Sequence, residues 1–144
     1  MTTLDDLLAT KGHEVIAVQP SETVLQAANL MNDRNIGGVV VLDDDRLAGI
    51  FTERDVLRRV VAQGLDPSDT TVAEVMTTPV ITCPPGMSLE DCAAVMTTRG
   101  VRHLPVQEGG VLTGIVTIRD LLAYKVSEQQ ATLEQMTQYL YDLR

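Results

Sequence analysis

The chain has 144 residues, 44% of them apolar, and 11 basic against 20 acidic side chains leave a formal net charge of −9. Such a chain is too apolar for disorder, and its length suits one domain or two very small ones. The acidic balance excludes a general binder of nucleic-acid polymers or anionic membranes, which needs a basic surface.

In chain order, Leu4, Leu7 and Leu8 predict a short amphipathic N-terminal helix. A strand over Val15–Val18 ends at Pro20. Thr23 and Gln26 have capping-box spacing, and Val24, Ala27, Ala28 and Met31 continue at helical spacing. Strands follow at Val39–Leu42 and Leu47–Phe51, joined by a turn at Asp43-Asp44-Asp45. A helix starts after Thr52. Residues 65–78 read as a linker with a helical turn near Val72–Met76, broken by Pro67 and Pro79. The same order then returns: strand Val80–Cys83, a helix capped by Ser88 with Asp91, strands Leu104–Gln107 and Leu112–Val116, and a helix after Thr117. Residues 127–144 read as a separate C-terminal helix. Its Val126, Leu133, Met136, Leu140 and Leu143 form an a/d-like stripe, expected to pack on its own domain in preference to a dimer seam.

This return is an internal repeat. Glu14–Leu57 aligns without a gap on Pro79–Leu122, 65 residues further on, and Gly49-Ile50-Phe51-Thr52-Glu53-Arg54-Asp55 falls on Gly114-Ile115-Val116-Thr117-Ile118-Arg119-Asp120. The organisation is motif 1 over residues 12–64, linker 65–78, motif 2 over 79–124 and C-terminal helix 127–144. The fold class is α/β (α+β): two β-α-β-β-α motifs packed about a pseudo-two-fold axis, since neither buries its apolar faces alone. That packing predicts two related clefts.

Thr52 with Asp55, and Thr117 with Asp120, sit at strand-to-helix junctions. Taken alone, each is a helix cap with a carboxylate favoured by the helix dipole. The same junction presents free N–H groups, a hydroxyl and a carboxylate together, and a carboxylate there can accept both hydroxyls of a ribose diol. Gly49 and Gly114 permit another chain or a ligand to approach closely. Cys83 and Cys92 align with apolar positions and read as buried, reduced thiols. No metal-ligand spacing involves them, His13 or His103. The longest strongly apolar run is Val39–Leu42, which excludes a membrane span, and no signal peptide is visible, so a cytoplasmic protein is expected.

The tandem motif ending in Gly-Ile-x-Thr-x-Arg-Asp resembles a pair of cystathionine β-synthase (CBS) domains, a Bateman module. Val101-Arg102-His103-Leu104-Pro105-Val106 resembles the second-strand motif of such domains. The stretch from Val72 to Val80 resembles the lead-in to a second one. The resemblance implies a stand-alone regulatory module that binds AMP, ADP or ATP in clefts between the motifs, with NAD or S-adenosylmethionine as alternative ligands. No catalytic cofactor and no chemistry of its own are implied. Asp55 and Asp120 would hold ribose hydroxyls, assisted by Thr52 and Thr117. Ile16, Ile81, Ile36, Val101, Ile50 and Ile115 would wall the base. Arg54, Arg102, His103 and Arg119 would face phosphates. Because Arg102-His103 aligns with Gly37-Gly38, the clefts should differ, with the Arg102/His103/Asp120 cleft taking the more phosphorylated ligand; backbone N–H groups of the glycines could cradle an anion in the other. The resemblance also implies a homodimer; the regulated partner protein is not encoded in the chain. A structural interaction module with empty clefts is the competing reading.

Overall fold

A computed structural model describes residues 1–142, apart from the side chains of Tyr139, Tyr141 and Asp142. Leu143 of the C-terminal stripe lies outside the described residues. The elements are α1 (Leu4–Lys11), β1 (Ala17–Val18), α2 (Val24–Arg34), β2 (Gly38–Asp43), β3 (Arg46–Thr52) and α3 (Glu53–Asp55), which continues as a π-helix over Val56–Val61. Then follow α4 (Val72–Val75), α5 (Leu89–Arg99), β4 (His103–Glu108), β5 (Val111–Thr117) and α6 (Ile118–Asp142).

Each predicted strand pair forms an antiparallel hairpin with equivalent register. Gly38 faces Thr52 in the first copy, and His103 faces Thr117 in the second. Both opening strands are shorter than predicted. β1 pairs in parallel with β2 only at Ala17 and Val18, and its counterpart is a single bridge from Cys83 to Val106. The alternation of the hairpin strands puts Val39, Val41 and Phe51 in one core, and Leu104, Val106 and Val116 in the other.

The lead-in helices exchange places. Leu4, Leu7 and Leu8 of α1 lie in the core of the second motif, whereas Val72 and Val75 of α4 lie in the core of the first. The backbone contacts match: Leu4 and Asp5 donate to Met87 and Pro85, as Val72 and Ala73 donate to Glu22 and Pro20. Both helices start at a threonine whose N–H is held by the carboxylate three residues on, Thr3 by Asp6 and Thr71 by Glu74. The N-terminal helix and the linker turn, which the sequence reading places outside the repeat, are therefore a third equivalent pair. Gly49 and Gly114 make that docking possible. A Cβ at Gly49 would come within 2.5 Å of Met76 Sδ, and one at Gly114 within 2.8 Å of Leu8 Cδ2. The close approach foreseen for these glycines is made by the chain itself.

The helix after Thr117 does not stop near Lys125. No glycine or proline follows Gly114, and α6 runs unbroken to Asp142. The expectation that its apolar stripe packs on its own domain is overturned: Val126, Leu133, Met136 and Leu140 are all exposed. Among the described residues no element packs over these four side chains. No described helix is long and apolar enough to cross a membrane.

Candidate functional site

The asymmetry between the motifs is centred where they meet. Gly38 and His103 are repeat equivalents, and they touch. A Cβ at Gly38 would lie 3.1 Å from the His103 ring. Two histidines could not occupy this point together, so a glycine in one copy makes room for the ring in the other. Beside it, Gly37 stands where Arg102 does and lies against the Glu53 carboxylate, 2.6 Å from where its Cβ would be.

A cleft of about 840 Å³ opens on the His103 side. Its apolar lining includes Ile16, Ala28, Met31, Ile36 and Ile115; its polar lining includes Lys11, Glu14, Glu53, Arg102, His103, Thr117, Arg119 and Asp120. Asp120 stands at the N-terminal end of α6. Its Oδ2 accepts the Thr117 N–H at 2.8 Å, and its own N–H donates to the Thr117 hydroxyl at 3.2 Å. This is the predicted cap, and it holds the carboxylate on the lining of the cleft, with no hydrogen bond to Oδ1 among the described residues. Lys11 Nζ occupies the other approach, donating to Asp120 Oδ2 at 2.5 Å and to the Ile115 carbonyl at 2.6 Å. Burial pushes the His103 pKa down; Lys11 and Arg102 act in the same direction, and Glu53 and Asp120 oppose them. Arg102 and Arg119 are exposed, and among the described residues neither side chain makes a hydrogen bond; the Arg102 carbonyl accepts the Ile118 N–H at 3.0 Å.

The first copy differs at each point. Asp55 is only 7% exposed. Its Oδ2 accepts the Thr52 N–H at 3.0 Å, and its Oδ1 takes the Thr77 hydroxyl at 3.0 Å with Arg59 Nε at 3.5 Å. Thr77 is itself fixed by a two-way backbone bridge to Ile50, at 2.8 and 3.0 Å. Arg54 crosses to the second motif and donates to the Gly100 carbonyl at 2.9 Å.

The structure thus brings together Ile16, Ile36, Gly37, Gly38, Arg102, His103, Ile115, Thr117, Arg119 and Asp120 around one cleft. It leaves Ile50, Thr52, Arg54, Asp55, Ile81 and Val101 out of that cleft. The two carboxylates differ in their surroundings, since the linker residue Thr77 lies beside Asp55 whereas Asp120 borders the cleft. Ile81 and Val101 pack against the core of the second motif, as Ile16 and Ile36 do against the first, but they do not line this cleft. Lys11 was not foreseen. Its signal is present in the sequence, since Thr3-x-x-Asp6 with Leu4, Leu7 and Leu8 parallels Thr71-x-x-Glu74 with Val72, Val75 and Met76.

Cys83 and Cys92 are buried free thiols. Burial pushes both pKa values up, that of Cys92 to about 12, which keeps the thiols protonated. Among the described residues no group of His, Cys, Asp or Glu side chains could hold a metal ion.

The model of the CBS domain matches the chain twice, at residues 4–62 and 72–127. The CBS domain-containing protein YhcV of Bacillus subtilis is 37% identical over 131 residues, 91% of each chain. The structure of a putative signal-transduction protein with CBS domains from Burkholderia ambifaria is 38% identical, with a TM-score of 0.86 over 89% of this chain and 96% of that one. A hexameric CBS-CP12 protein from bloom-forming cyanobacteria is 29% identical, with a TM-score of 0.74 over 85% of this chain and 70% of that one.

Proposed function

The chain belongs to the CBS-domain family, as a tandem pair of such domains, and from that premise we propose that it is a regulatory sensor that binds an adenine nucleotide, AMP, ADP or ATP, in the Asp120 cleft. One observation carries the reading. A single cleft joins an aliphatic wall, a carboxylate with one open oxygen on a helix N-terminus, and a cationic end of Arg102 and Arg119 with the His103 ring beside them, Glu14 and Glu53 also being on the lining. A flat base suits the Ile16, Ile36 and Ile115 surfaces, a ribose diol suits Asp120, and phosphates suit the cationic end. The module needs no chemistry of its own: occupancy shifts the balance between conformations of the two motifs. The volume also suits NAD, the alternative reading, because about 840 Å³ lies in the upper part of the range for ligand sites. Calorimetric titration with AMP, ATP, NAD and S-adenosylmethionine separates these ligands, and heat from none of them favours the structural module.

Self-association is the second part of the reading. The exposed stripe of α6 has repeat-related company in Leu57 and Val61, which correspond to Leu122 and Val126 and are equally uncovered. A second copy of the chain is the partner we expect for these faces, in the same way that the cyanobacterial relative forms hexamers. Light scattering on the full chain and on a chain ending at Tyr124 tests this. A dimer that survives truncation removes the end of α6 from the contact.

A further inference from the structure

We propose that Lys11 is a displaceable placeholder in the Asp120 cleft: a ligand takes over its two hydrogen bonds, and the released ammonium then binds the ligand's phosphates. The proposal rests on the nucleotide reading above and adds a residue that discriminates phosphorylated from unphosphorylated ligands.

The argument comes from the comparison of the two copies. In the first, the segment after lead-in helix α4 covers the cleft position with Thr77. Its N–H donates to the Ile50 carbonyl, and its hydroxyl donates to Asp55 Oδ1. In the second, the last residue of α1, Lys11, covers the corresponding acceptors with its side chain. One ammonium donates to the Ile115 carbonyl and to Asp120. Ile50 and Ile115, like Asp55 and Asp120, are repeat equivalents, so Lys11 supplies from one atom what Thr77 supplies from two.

The two covers differ in what it takes to remove them. Thr77 is held through its main chain, in a bridge that reads Ile50 in both directions. Removing it means breaking two backbone hydrogen bonds and shifting the main chain. Lys11 reaches its acceptors only through a flexible side chain at the end of α1, and the pair is partly solvated, at 29% and 21% side-chain exposure. Such a pair is weak and exchanges easily. The acceptors it covers, a carboxylate and a nearby carbonyl, are matched by any ligand that presents two adjacent O–H donors.

The released ammonium has a destination. Lys11 lines the same cleft as Arg102, His103 and Arg119, so the released ammonium stays in the cleft that would hold the phosphates. Displacement costs the Lys11–Asp120 attraction, and a bare nucleoside gives nothing back. A phosphorylated ligand restores a charge-assisted contact.

The test is calorimetric titration of adenosine and ATP into the full wild-type chain, Lys11→Met and Lys11→Arg, each checked for folding by thermal melting. Lys11→Met should bind adenosine about two- to fivefold more tightly, because the competitor is gone. The same variant should bind ATP about five- to twentyfold more weakly, and Lys11→Arg should stay near wild type for ATP. A purely structural Lys11 would move both affinities the same way. An unchanged ratio of ATP to adenosine affinity in Lys11→Met overturns this proposal alone. Binding of neither compound to any of the three proteins overturns the nucleotide reading together with it.

Discussion

Asp55 and Asp120 occupy the same place in two copies of one unit, yet one is closed and the other open. Both cap a helix and both take the N–H of a preceding threonine. Asp55 spends its second oxygen on Thr77 and Arg59 and is buried; Asp120 keeps Oδ1 free beside a cleft and holds a removable lysine on the other oxygen. The comparison teaches that a repeated motif is a repeated shape, and that its chemistry depends on which segment lies across it.

The largest effect should come from removing the open carboxylate. Asp120→Ala loses charged hydrogen bonds to the ligand and should weaken adenine-nucleotide binding about 10- to 100-fold in calorimetry. Asp55→Ala should leave that affinity within about twofold and cost stability instead, by about 1–3 kcal/mol, because a helix cap is lost and Arg59 and Thr77 lose their partner. Unchanged affinity in both variants would remove the carboxylates from the site and end the comparison.

Next in size is the contact between the motifs. Gly38→Val places a branched side chain where a Cβ already lies 3.1 Å from the His103 ring and from the Thr52 methyl. Overpacking of about 1–3 kcal/mol is expected in denaturant melts, with weaker nucleotide binding as the ring is displaced. A variant with wild-type stability and affinity would show that the glycine is not what makes the copies unequal.

Thr77→Val tests the closed side more gently. It removes one donor to a buried carboxylate oxygen and should cost about 1–2 kcal/mol. No second binding event should appear in titrations, since the Ile50–Thr77 backbone bridge stays. A second event would mean that the hydroxyl alone keeps that side shut.

The smallest effect concerns pH. The His103 pKa is lowered on folding from 6.5, so below that value the unfolded chain binds more protons than the folded one. This contribution to stability is complete above pH 6.5 and is lost as pH falls towards the folded value. His103→Gln should flatten that part of the melting profile. With an anion seated, the ring is driven towards its charged form, so bound nucleotide should reduce the pH sensitivity of the wild type. A His103→Gln profile identical to wild type would dismiss the ring as a titrating group there.

Much of this was legible in the residues because it is local. The threonine caps at 23, 52 and 117, the alternation of Val39, Val41 and Phe51, and the 65-residue return of Gly-Ile-x-Thr-x-Arg-Asp each need only a few neighbouring side chains. The aliphatic wall and the cationic end of one cleft were readable from Ile16, Ile36, Ile115, Arg102, His103 and Arg119. Alignment gives a position and not a neighbour: all four of Ile16, Ile36, Ile81 and Val101 pack against their own cores, yet only Ile16 and Ile36 also line this cleft. The C-terminal stripe misled in another sense: its period fixes a face, but a face says nothing of what covers it.

The sequence by itself determined two copies of a capped strand-helix-hairpin unit, an aliphatic core almost without rings, and a carboxylate at the start of each closing helix. Those features follow from short-range periodicity, cap chemistry and composition. Only the tertiary structure decided that α1 and α4 trade places between the cores, that Thr77 closes one carboxylate, and that Lys11 rests on the other. The reason is physical: these contacts join residues 22 and 109 positions apart, and their partners are chosen by packing the whole chain, where no local pattern reaches.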